Sequence, residues 1–254
     1  MVSQDEIQRV VRQWRDTAPE MVLLDGFHAL KHALRFEADV RVAIAGDKGS
    51  VLTLADELAG DLTKRLSDLV TEVPAETFRG LVPRVHPTQV AGLAVRPSPQ
   101  RNLDKLSRAP RPAPIVVLEN PRNLGNVGAV VRLAAGFGAT GVVTTGDMDP
   151  WHPNVVRAAA GLHYATAVES LPLDGLPPGP VYALDPEGDD IRSVMLPDDA
   201  LLAFGSERHG ISPELRERAT KLVALPMRPQ VSSYNLATSV AMALFHWGGP
   251  RPAP

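Results

Sequence analysis

Asn126, Arg132, Glu207, Ser233 and Asn235 each follow a short apolar run: PIVVLEN (114–120), ALLAFG (200–205) or the run leading into LPM (225–227). Polar residues just past buried strands are where an open α/β sheet builds its ligand crevice. Their types can hold an anion and orient a polar group. The Arg132 fork can grip a phosphate bidentately. A guanidinium is always protonated, so anchoring and charge stabilisation are open to it directly, whereas base chemistry requires an unusual shift. Asn126 offers both a donor and an acceptor, enough to orient a hydroxyl or to order its loop. Asn123, next to a Gly-containing turn, reads as loop architecture. Glu207 lies between Gly205 and Gly210, glycines that let backbone approach a ligand closely, and its carboxylate either holds the neighbouring loop or complements a cationic ligand. Ser233 sits near the start of the last helix, where capping competes with a direct role.

Other chemistries lack their residues. The dinucleotide pattern GxGxxG is missing, since the loop after 114–120 offers only Gly125 and Gly128; Gly136 and Gly138 read as lying past the following helix (about 126–137) and capping it. There is no P-loop and no G-x-S-x-G elbow. His28 and His32 are four apart on a helical pattern but have no Glu between them and no evident third ligand, so no metal is expected. With no cysteine, disulfides, Cys-based zinc sites and thiol nucleophiles are excluded, which is compatible with a reducing compartment.

The elements that must position these side chains follow from periodicity. With 254 residues, 44% hydrophobic and 22% charged, the chain suits two modest globular domains. Ile7, Val10, Val11 and Trp14 share one face of an amphipathic first helix rather than forming a secretion signal. Helix over 27–36, strand over 40–46, helix from about 52 to 69, strand over 70–73, short helix over 75–82 and strand over 88–95 make a small α/β domain, 1–95. The stretch 96–114 holds five prolines and five Lys/Arg, and is expected to be a linker (96–113). The larger α/β domain spans 114–247, with the Pro/Gly-rich 171–180 as an internal loop and 248–254 as a fraying tail. No apolar run approaches the roughly 20 residues needed to cross a bilayer, and a soluble, cytoplasmic protein is expected.

The net charge of −3 does not announce a nucleic-acid partner, but the distribution is uneven. Arg96, Arg101, Lys105, Arg108, Arg111, Arg122 and Arg132 face only Asp104 and Glu119 between 96 and 132. This local excess makes Arg96, Arg101, Lys105, Arg108 and Arg111 candidates for RNA phosphate contact, with Arg132 and Arg157 as further ones.

N-x-G-N-x-G-A-x-x-R (Asn123–Arg132), G-x-E-x-x-G (Gly205–Gly210) and LPM followed by S-x-N (Leu225–Asn235), in that order, resemble the three motifs of the SpoU/TrmH family of RNA 2′-O-ribose methyltransferases. HPNVVRAAAGLHYATAV (152–168) is similar to the family's segment between the first two motifs. The resemblance covers about 113–247; the first domain resembles, less specifically, the ribosomal-protein-like substrate-binding domain of many members. It implies a C-terminal trefoil-knotted α/β fold, S-adenosyl-L-methionine as donor, and a homodimer with its site near the subunit interface. By motif position Asn126, Arg132, Glu207, Ser233 and Asn235 are catalytic, while Gly205, Glu207, Gly210, Leu225, Met227, Ser233 and Asn235 hold the donor. Tyr234 departs from the pattern, which commonly has Leu there.

Methyl transfer to a ribose hydroxyl requires positioning of two partners, help in losing the hydroxyl proton and stabilisation of the developing oxyanion. The expected activity is therefore 2′-O-methylation of RNA, ribosomal rather than transfer RNA. A silent RNA-binding or assembly protein of the same fold and an RNA base methyltransferase are the alternatives.

Overall fold

The computed structural model describes residues 3–249. It divides into two compact units: the described residues up to Pro97 with Ala160–Ala165, and Ser98–Ala159 with the described residues from Thr166 onward. Of the expected tail 248–254, residues 250–254 lie outside the described residues, and Gly248 ends the last helix.

In the first unit, helix α1 (Gln4–Thr17) starts where the Ser3 side chain accepts from the Glu6 backbone N–H. It buries Val10 and Trp14, with Ile7 packed alongside. Strands β1 (Val22–Asp25), β2 (Val40–Ala45), β3 (Val70–Glu72) and β4 (Val90–Ala94) form a sheet in the order β1-β4-β2-β3. β4 runs antiparallel to both neighbours, and β3 is parallel to β2. Between them lie α2 (Phe27–Arg35), α3 (Lys48–Leu58), α4 (Thr63–Leu69) and α5 (Ala75–Leu81). The single helix expected over 52–69 is two, because the backbone leaves helical geometry at Ala59 and a 3-10 turn, Gly60–Leu62, intervenes. β1 is an addition. Its four residues are too few to show a period, and pairing with β4 makes them a strand.

The second unit holds α6 (Pro99–Leu106), β5 (Ile115–Leu118), α7 (Leu124–Phe137), β6 (Gly141–Thr144), α8 (Pro153–Ala158), β7 (Ala167–Ser170), β8 (Val181–Asp190), β9 (Leu201–Phe204), α9 (Pro213–Arg218), β10 (Lys221–Ala224) and α10 (Leu236–Gly248). Its six strands are all parallel in the order β10-β8-β9-β5-β6-β7. β5 is buried at every position, as its uninterrupted apolar run requires of a strand covered on both faces. Because β5 leads to β6 on one side while β9 returns on its other side, the strand order reverses there, and the loops after β5, β8, β9 and β10 open at one edge. Gly138 closes α7 in the left-handed region, whereas Gly136 lies inside the helix rather than beyond it.

The stretch read as a linker is part of this unit. Ser98 caps α6 and Pro99 takes its first turn, the position where a proline starts a helix instead of breaking one. Leu106 is fully buried in the same cluster as Ile115, Val117 and Leu201. Buried Asn102 donates to Val168 O and to Glu169 Oε1 on β7, at 3.2 and 2.8 Å. Leu106→Ala should therefore cost about 2–5 kcal/mol, and exposed Arg108→Ala no more than about 0.5 kcal/mol, read by chemical denaturation. An unchanged midpoint for Leu106→Ala would mean that α6 is a tether after all.

Candidate active site

The middle of β8 and the loops after β9 and β10 line a cavity of about 570 Å³. Its lining includes Gly205, Glu207, Gly210, Leu225, Met227, Ser233 and Asn235, every residue the sequence assigned to donor binding. Leu184, Phe204 and Val223 extend its apolar wall.

The loop Gly205–Gly210 owes its shape to its two glycines. Ser206 and Gly210 exchange backbone hydrogen bonds at 2.9 and 3.0 Å, which brings the two arms so close that a Cβ on Gly205 would lie 1.9 Å from the Gly210 carbonyl carbon. No other residue fits at 205. Beyond the turn, Ser212 anchors the loop to β5: its backbone N–H and its hydroxyl both donate to the buried carboxylate of Glu119. Glu207 is thereby presented to the start of α7.

That start is set by Asn123, whose side-chain oxygen accepts from the Asn126 N–H at 3.0 Å and caps the helix. One turn in, a Cβ on Gly128 would sit 2.4 Å from the Ala158 Cβ, so glycine lets α7 lie directly on α8. The Asn126 side chain then meets both other motifs. Its Nδ2 donates to Glu207 Oε1 at 3.1 Å, and its Oδ1 accepts from Asn235 Nδ2 at 3.0 Å.

The orientation of these amides follows from helix ends. Asn235 is the N-cap of α10, its Oδ1 accepting from the Ala237 and Thr238 N–H groups, so only its Nδ2 is left to donate to Asn126. Asn126 must then turn its own NH₂ toward a pure acceptor, the ionised Glu207. The cap is thus Asn235, two residues beyond the expected position at Ser233, whose hydroxyl is left to the cavity wall. Partial burial would raise the Glu207 carboxyl. Hydrogen bonds from its own N–H, from Asn126 and from the N–H groups of Arg122 and Asn123 outweigh this and hold it below the ordinary carboxylate range. The positive end of α7 acts in the same direction.

The other expected residues separate. Arg132 is exposed on α7, outside the cavity lining, and makes no hydrogen bond or ion pair among the described residues. Arg101, Lys105 and Arg108 are exposed on and after α6, which packs on β7 at the sheet edge away from the cavity. Arg111 is a correction: it is 4% exposed, with its guanidinium donating to the carbonyls of Leu106, Pro178 and Asp199. It binds its own chain, not RNA. Arg157 is half-buried on α8, and Arg96 is half-buried in the first unit. Sequence reasoning missed Asp185, which lines the cavity from the middle of β8 and pairs with Arg216 at 2.9 Å. The signal was there in VYALDPEG (181–188), another apolar run followed by charge and glycine.

Residues 113–245 match the model of the SpoU rRNA Methylase family. The chain belongs to that family. It is 28% identical to an uncharacterised tRNA/rRNA methyltransferase of Synechocystis over 98% of its length and 95% of that protein's. It is 24% identical to the 23S rRNA (guanosine(2553)-2′-O)-methyltransferase RlmP of Bacillus subtilis over 92% and 90%. Among solved structures, the SpoU methyltransferase AviRb of Streptomyces viridochromogenes, in complex with AdoMet, superposes with a TM-score of 0.73 at 20% identity, covering 94% of this chain and 96% of that one.

Because the folded pKa of Glu207 is depressed, the stabilisation it brings is full above the ordinary carboxylate pKa and is lost as pH falls through the folded value. The difference in thermal midpoint between wild type and Glu207→Gln should accordingly be present at neutral pH and shrink in acid below the ordinary carboxylate range. A difference independent of pH would show that Glu207 acts without its charge.

Proposed function

We infer that this SpoU-family protein is an S-adenosylmethionine-dependent RNA methyltransferase that transfers a methyl group to a ribose 2′-hydroxyl, with ribosomal RNA as its substrate. The observation that carries the reading is the hydrogen-bonded set Asn126–Glu207–Asn235, which joins one side chain from each motif, with Glu207 and Asn235 lining a single cavity and Asn126 bonded to both. The named activities of the relatives agree with it, since RlmP and a Streptomyces azureus protein, 31% identical over 60% of each chain, are 23S rRNA 2′-O-methyltransferases.

The cavity suits the donor. About 570 Å³ falls within the range of small-molecule sites. Leu225, Met227, Phe204 and Val223 offer an apolar wall to an adenine, and the ionised Glu207 offers a counter-charge to a sulfonium. When bound, the donor supplies a methyl on a cationic sulfur. The protein's part is positional. Glu207 and Asn235 hold the Asn126 amide with one N–H and one lone pair free to orient the incoming hydroxyl. Ser233 adds a hydroxyl to the wall that Asn235 also supplies, and Arg132 grips the phosphate next to the target ribose and stabilises developing negative charge.

We further propose a trefoil knot in the second unit, a homodimer and action in the cytoplasm. The dimer would use the outward sides of α7 and α10, where Leu133, Phe137 and Met242 are half-exposed and Phe245 is 73% exposed. Arg132 borders that face. The first unit, with its own core, would select the RNA, and Arg101, Lys105 and Arg108 would add affinity without sequence preference.

Arg132→Ala should lower single-turnover methyl transfer by about 10²-fold or more while the calorimetric donor affinity of the intact protein stays at the wild-type value. Digestion of the product to nucleosides should yield 2′-O-methyl ribose, and a methylated base instead would place the enzyme in a different reaction class. Neutralising Arg101, Lys105 and Arg108 together should weaken target and non-target RNA alike, flattening the slope of log K against log salt by about 0.7–0.9 for each phosphate that is no longer neutralised. An unchanged slope would remove these residues from the RNA path.

A further inference from the structure

Between β10 and α10 the chain runs from Leu225 to Asn235 without regular structure, yet it supplies two walls of the cavity: Leu225 and Met227 at its start, Ser233 and Asn235 at its end. Little backbone pairing holds those walls apart. Among the described residues, the segment's internal backbone hydrogen bond is Val231 N–H to Arg228 O, closing a tight turn in which Gln230 takes a left-handed φ of 73°. The start and the end of the segment are joined instead by one side chain: the Tyr234 hydroxyl donates to Pro226 O at 2.9 Å. Tyr234 itself lines the cavity.

We propose that Tyr234 is a positioning residue whose hydroxyl clasps the segment 225–235 closed, fixing the spacing between its two cavity walls and thereby the affinity for the methyl donor. The donor part rests on the reading of the cavity given above; the clasp itself does not. A leucine at this position fills part of the same volume but leaves Pro226 O without this donor, so the hydroxyl is a feature of this chain rather than of the motif it resembles. A loop fastened at one point has met its ordering entropy before the ligand arrives, and unfastening it shifts that cost onto binding. The Asn126 amide, which orients the incoming hydroxyl, is held by bonds other than this one, from the α10 cap and to Glu207, so the loss of the clasp is read in affinity and not in the transfer step.

Tyr234→Phe removes the hydroxyl and keeps the ring. In the full-length protein without donor, the amides of 225–235 should exchange with deuterium faster in Tyr234→Phe than in wild type, at an unchanged melting temperature. Calorimetric titration with S-adenosylmethionine should show Kd raised about 2- to 12-fold, the range one hydrogen bond commands, with kcat at saturating donor within about twofold. Tyr234→Leu should behave like Tyr234→Phe in exchange. Unchanged exchange in Tyr234→Phe overturns the clasp. Faster exchange with unchanged Kd, or a loss in kcat instead of Kd, overturns its role in donor affinity. A wild-type protein that does not bind the donor overturns the reading of the cavity, while the exchange comparison still decides the clasp.

Discussion

A buried carboxylate must find partners, and Glu119 finds them 93 positions along the chain, in the N–H and hydroxyl of Ser212. Left alone at the end of β5, an ionised side chain at this depth would cost several kcal/mol. Paired, it fastens the loop after β9 to the strand that leads into α7. The same hydroxyl accepts from the Leu215 N–H and so caps α9, whose Arg216 in turn restrains Asp185 in the middle of β8. Glu207 faces Asn126 because this fastening has already fixed the far side of its loop.

The site is built by helix caps as much as by strands. Asn123 starts α7 and Asn235 starts α10, and each commits its side-chain oxygen to orphan N–H groups. This leaves donors whose directions are not adjustable, so the Asn126 amide is oriented without a bound ligand. Preorganisation of this kind lowers the reorganisation needed when charge develops. The motif spacing records it: an Asn at the cap, another three residues on, and a third capping the last helix.

The sequence was informative wherever local pattern decided the outcome. The apolar run of β5, the amphipathic stripe of α1 and the glycines at 205 and 210 carry their meaning within a few residues. Misreadings occur where tertiary partners decide. Arg111 has the composition of a phosphate ligand, but three carbonyls close around its guanidinium, and only folding brings Pro178 and Asp199 to it. Pro97, Pro99, Pro110 and Pro112 suggested a tether, although Pro99 begins a helix whose Asn102 and Leu106 have their partners on the sheet. For Ser233 the sequence left capping and a direct role open, and the fold gives the cap to Asn235. The absence of Arg132 from the cavity is likewise invisible in a motif, which gives spacing along a helix and not the side that helix presents.

The strand order bears on how the chain is made. β5 is flanked by β6, which follows closely, and by β9, whose Ile115↔Leu201 pairing spans most of the unit, so the centre of the sheet cannot close until the chain has been synthesised past Phe204. Asn235 reaches Asn126 across 109 positions. A ribosome carrying a partial chain therefore holds half-paired parallel strands and no assembled site, which exposes the second unit to chaperones and proteases until β9 and the start of α10 have been made. Assembly of the site waits until Asn235, at the start of α10, can reach Asn126.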